Sequence, residues 1–233
     1  MTEQKRQQGS GERAIGETTS EGLIPKHGGY RKLKSFQIAR LAYDVTVRFC
    51  DCYIDRFSRT KDQMVQAARS GVQNIAEGSK ASGTSKKTEL KLTNVARASL
   101  EELRLDYEDY LRHRGLPLLD AEHPALVRFR ARKCGTLQEV QTWVSEEMAL
   151  IRDEHGQERT GTDIDRSSSV NVGGSPCQSL NSACLAANGT LSLLNLACFL
   201  LDRQLAAQAE AFEKEGGFTE RLYQRRTQAR KRQ

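Results

Sequence analysis

Cations dominate the residues of this chain whose type and spacing could do chemistry. Lys86, Lys87, Lys91 and Arg97, together with Asn94, fall on one side of a helical wheel. They lie opposite an apolar stripe of Leu92, Ala96, Ser99, Leu103, Tyr107 and Tyr110. Lysines in the first turn oppose the helix macrodipole, so Lys86 and Lys87 do not serve the helix itself. A second set, Arg221, Arg225, Arg226 and Arg230 with Lys231 and Arg232, crowds the acid-free closing stretch RLYQRRTQARKRQ. These side chains match the whole formal excess of +6, which leaves the rest of the chain close to neutral. Such groups pair with phosphates whatever the base sequence, and each pair releases counterions, so the affinity they give falls steeply with salt. Only Tyr223 interleaves with the terminal arginines, so structured RNA or duplex DNA is the expected ligand rather than stacked single strands. The plain alternative for any charge run is a solvated helix face.

Catalytic constellations are missing. Di-iron helix bundles need Glu-x-x-His pairs, and none of His27, His113, His123 or His155 has a glutamate three residues before it. Asp120-x-x-His123 comes closest and falls in a loop. There is no nucleophile elbow, Walker A loop or dinucleotide fingerprint. No catalytic residue, cofactor or metal site is therefore expected, and His27 has no second ligand spaced to help it. The cysteines Cys50, Cys52, Cys134, Cys177, Cys184 and Cys198 form no C-x-x-C pair and are expected to be free thiols in a reducing cytoplasm. No apolar leader opens the chain, and the longest apolar run, 191–201, is about half of the roughly 20 residues a membrane span needs. The expectation is a protein of the cytoplasm with no membrane partner.

The elements that must position these cations are helical. Few aromatics, few prolines and repeated three- and four-residue apolar steps favour an all-α chain. Residues 1–22 are polar and expected to be disordered. Residues 23–151 read as a four-helix bundle. Its first helix covers 33–57, and its second starts near Thr60 and stops at Gly78. The third starts after Thr84 or Ser85 and runs to about His113; the fourth covers 124–151 with a break expected at Gly135. Ala67, Ala68, Ser70 and Gly71 are small enough to let a neighbouring helix approach closely. Residues 152–177 read as a linker. Residues 178–233 then give an additional long C-terminal helix and a basic tail. Leu180, Cys184, Ala187, Leu191, Leu194, Cys198, Leu201 and Leu205 form a seam for a helical partner, on a helix long enough to overhang a compact bundle unless it bends at Asn188-Gly189.

The segment ARSGVQNIAEGSKASGTSKKTELKLTNVARASLEEL carries a resemblance. Its Asn-Ile-Ala-Glu-Gly stretch (Asn74, Gly78) and Ser-Lys-Lys helix start (Ser85, Lys86, Lys87) resemble the four-helix-bundle proteins encoded within 23S ribosomal RNA intervening sequences. The opening IPKHGGYRKL and the closing LLDRQLAAQAEAFEKEGGFTERLY resemble the longer branch of that family, which carries a C-terminal suffix. A related bundle is the accessory protein of diversity-generating retroelements, which binds nucleic acid and its reverse transcriptase. The resemblance implies an up-down bundle and a homo-oligomer, with a ring-shaped pentamer the form known for the group. Arg69, Asn74, Glu77 and Gly78 then read as an architectural motif, with Asn74 and Glu77 bonding across the bundle or to backbone at the turn.

Together these observations make an oligomeric accessory protein that binds nucleic acid without catalysis the leading expectation. A protein-interaction scaffold, with a partner along the seam from Leu180 to Leu205 and no nucleic-acid ligand, is the alternative.

Overall fold

The computed structural model describes residues 27–158 and 180–231, and every regular element among them is helical. The N-terminal segment 1–22 and all but the start of the expected linker lie outside the described residues. A 3-10 turn, Tyr30–Lys32, leads into α1 (Lys34–Tyr53), α2 (Arg59–Ala81), α3 (Lys86–His113), α4 (Pro124–Arg132), α5 (Leu137–Glu158), α6 (Ser182–Glu215) and α7 (Phe218–Lys231).

Local chemistry sets these boundaries. Ser58, rather than Thr60, caps α2, its hydroxyl accepting from the Thr60 N–H. Ser85 caps α3 by accepting from the Thr88 N–H. Asn181 does the same for α6 through the Cys184 N–H, which satisfies a donor that the first helical turn leaves open. Short connections, 54–58 and 82–85, force α1, α2 and α3 to run antiparallel in succession.

α6 packs against both α1 and α3 and runs opposite to each. Ser35 near the start of α1 donates to Gln204, and Lys86 at the start of α3 reaches Glu215 at the end of α6. At the far end, Tyr107 of α3 donates to Thr46 of α1 and bonds Thr190 of α6, wholly buried. The expected fourth helix, 124–151, is two helices separated at 133–136, and α5 touches α6 more than any other helix. The helix expected as an addition therefore fills the position between α1 and α3. Its seam residues Cys184, Ala187, Leu191, Leu194, Cys198 and Leu201 are buried within this chain.

The N-terminal half of α6 is covered on its outer side as well. Trp143 of α5 and Phe129 of α4 stack at 4.6 Å against Gly189, where a Cβ would come within 2.8 Å of the Trp143 ring. Covered on both sides, this half of α6 carries small and apolar residues nearly all round. One window of Ser182–Lys231 is apolar enough, at mean hydropathy 1.7, to cross a membrane by composition, and 72% of it is buried inside the protein. α6 runs as one helix through Asn188-Gly189.

Candidate nucleic-acid interface

One end of the helical ring gathers the starts of α1 and α3 and the ends of α2 and α6. The Gly28 N–H donates to the Ser79 carbonyl at 3.0 Å, which ties the N-terminal turn to the end of α2. The Tyr30 ring packs edge-on against Phe36 and carries the Arg31 and Lys80 cations, each 5.8 Å from its centroid. α7 leaves from the same end, turned by Gly216 at a positive φ of 65°. The Glu220 carboxylate then accepts from the Gly217 N–H at 2.8 Å, anchoring the first turn of α7.

The expected cations of α3 divide into two pairs with different duties. The Lys86 ammonium bonds Glu215 and the Ala211 carbonyl at 3.3 Å, and it holds the Glu215 carboxyl below the usual range. Arg97 pairs with Asp202 of α6, whose hydrogen bond and charge raise the arginine further. Both are committed to docking α6 on α3. Lys87 and Lys91 are exposed and make no ion pair among the described residues. Beneath them, Gln208 donates to Glu89 at 3.0 Å; burial pushes the Glu89 carboxyl up, against that bond and the Lys86 charge.

α7 divides in the same manner. The Nε and Nη2 of Arg221 are buried without a hydrogen-bond partner, and its charge helps hold the Glu215 carboxyl down. Arg225, Arg226 and Arg230 are exposed on a helix with no buried residue. The basic tail is thus helical through Lys231, beyond the Tyr223 that the sequence suggests.

Sequence reasoning missed the cations that complete this end: Arg31, Lys32 and Lys34 in the run YRKLK, and Lys80, all exposed. The signal was the run itself together with the closeness of Lys80 to the turn at residue 83. Neither had meaning until the chain's entry and the α2–α3 turn were known to meet.

The motif residues run along α2 towards these cations, and Asn74 and Gly78 serve packing. Gly78 is buried against α3, where a Cβ would meet the Glu89 carbonyl and the Leu92 Cβ at 3.3 Å. The Asn74 amide donates to the Ser70 carbonyl and hydroxyl, and the Ser70 hydroxyl meets that of Ser99 on α3 at 2.9 Å. Arg69 and Glu77 point outward, so Glu77 does not take part in the cross-helix bonding expected of it.

Among the described residues, no group of three or more His, Cys, Asp or Glu side chains could hold a metal ion. Cys50, Cys52, Cys134, Cys184 and Cys198 are free thiols. Burial raises the Cys50 thiol to about 12, and Cys184 and Cys198 to about 11 each. Compared with known protein families, with curated proteins and with solved structures, the chain matches none of them.

Proposed function

We propose that this chain is a non-enzymatic accessory protein that holds nucleic acid against the basic end of its helical ring. The ring is read as an up-down four-helix bundle made by α1, α2, α3 and α6. The observation that carries the reading is the meeting at that end of exposed Arg31, Lys32, Lys34, Lys80, Lys87 and Lys91, beside the arginines of α7. Several acids nearby are already engaged: Glu215 by Lys86, Glu210 by Lys214, Glu89 by Gln208 and Glu220 by backbone. The named lysines and arginines of this end face solvent, which is the electrostatic footprint of phosphate binding without base readout. The likeness of Asn74, Gly78, Ser85, Lys86 and Lys87 to ring-forming bundles supports assembly into a homo-oligomer, which would repeat the basic end around an axis.

A mobility-shift series with a short RNA duplex and a DNA duplex, run across salt concentrations, tests the reading. The intact chain should bind with an affinity that falls steeply with salt. Combining Lys87→Glu with Lys91→Glu should weaken binding to every sequence alike and flatten the log–log salt slope by about 0.9 per lost phosphate contact. Absence of binding at low salt would overturn the proposal, and so would an unchanged slope in the variant.

A further inference from the structure

On the flank of the molecule, a cavity of about 540 Å³ opens between the start of α1, the end of α4 and the outer face of α6. Its apolar lining comes from Ile38, Leu41, Phe129, Leu193 and Leu196. Lys34, Arg130 and Lys133 are the charged residues of its lining, and no carboxylate contributes. Arg130 has Glu122 at 3.7 Å, a loose and exposed pair that leaves its guanidinium available. We propose that this cavity binds a small amphipathic anion, a medium-chain or aryl carboxylate whose apolar body enters the cavity and whose head meets these cations.

Three features carry the assignment. The volume is that of a small-molecule site, too small for a folded partner. The apolar lining is incomplete without an occupant, since Leu196 remains 44% exposed there. Lys133, which ends α4, is the single non-glycine residue with positive φ among the described residues (φ 53°, ψ 47°). That left-handed position ordinarily favours glycine or asparagine, and unfavourable backbone of this kind collects at ligand clamps. Glycine follows only at position 135, so the lysine keeps its ammonium at the rim at a conformational cost.

Trp143 provides the readout, being the protein's one tryptophan and stacked on Phe129, which lines the cavity. The test titrates the full-length protein with sodium decanoate and, separately, with decanol, following Trp143 emission and calorimetric heat, with light scattering alongside. Decanoate should saturate at one site per chain and bind about tenfold more tightly than decanol, a preference set by the cations. Lys133→Glu, and independently Arg130→Glu, should erase that preference while leaving decanol affinity unchanged. Ser192→Phe, which fills the cavity from α6, should abolish both ligands while the helical circular-dichroism spectrum persists. The assignment fails if neither ligand saturates below about 1 mM, the weak end of useful affinity. It fails equally if decanol matches decanoate, if all three variants bind as the parent does, or if decanoate acts only by changing the protein's mass in solution. The last result would make the cavity a contact between copies. Lys34 is the one lining residue shared with the basic end and is kept in every variant, so none of these outcomes bears on nucleic-acid binding.

Discussion

Asn188 shows how one polar side chain in an apolar helix can organise a distant loop. It is 1% exposed and fully bonded: its amide nitrogen donates to the Cys184 and Pro117 carbonyls, and its amide oxygen accepts from the Leu119 N–H at 2.8 Å. Those bonds fasten the connection between α3 and α4 to α6, with no backbone pairing of its own on that side. In the sequence, Asn188-Gly189 looks like a place for a bend, because a polar and a flexible residue interrupt the apolar run. The pair has another meaning, which depends on partners about seventy residues away in the chain. Asn188→Ala keeps the helix and removes the bonds, leaving the half-buried Leu119 N–H without its acceptor. A loss of about 2 kcal/mol is expected, the desolvation penalty of such a group less the better helix propensity of alanine. Thermal unfolding should show it as a midpoint lowered by several degrees. An unchanged midpoint would mean that water replaces the amide freely.

Between elements, glycines set how closely the helices approach. A Cβ on Gly71 would come within 2.4 Å of Leu100 Cδ2 and 2.7 Å of its Cγ, and Leu100 is fully buried with nowhere to retreat. Gly71→Ala should therefore lower stability by up to about 2 kcal/mol, since overpacking of about 1–3 kcal/mol offsets or outweighs the roughly 1 kcal/mol that alanine adds to a helix. The check is a urea or thermal midpoint, and a rise would show that α2 and α3 can separate at little cost. This approach was legible from the cluster Ala67, Ala68, Ser70 and Gly71. The helix starts at Ser85 and the stop near Gly135 were legible too, because capping and breaking are local chemistry. What periodicity left open was the choice between two apolar helices for one groove. A stripe states which face is buried and says nothing of which neighbour buries it. The usable signal was Ala183, Ala186, Ala187, Gly189 and Ala197, small residues spread around α6 where a one-sided helix would carry polar ones. The same limit hid the split among the cations: Lys86 and Arg97 look like Lys87 and Lys91 until Glu215 and Asp202 arrive from α6.

For the whole molecule, the expected consequence is that residues 27–151 should not fold cooperatively by themselves. With α6 removed, Phe49, Leu100, Leu103 and Tyr107, all but inaccessible in the intact protein, would lie along a groove between α1 and α3. α6 itself buries five leucines, Leu185, Leu191, Leu193, Leu194 and Leu201. At about 2 kcal/mol each, these alone approach 10 kcal/mol, comparable with the entire 5–15 kcal/mol by which a domain is ordinarily stable. A chain ending at residue 179 should therefore lose cooperative unfolding and expose apolar surface, whereas one ending at residue 217 should melt nearly as the parent does, because α7 buries no residue. Circular dichroism, cooperative melting and dye binding on the two truncations distinguish these cases. If the chain ending at 179 melts as one sharp transition at an unchanged midpoint, α6 is an appendage and the four-helix ring is not the folding unit. If it does not, the basic end cannot exist without α6 either. Lys86 holds that helix from the very turn that carries Lys87, with Arg97 further along the same helix, so the fold and the proposed phosphate surface must be lost together.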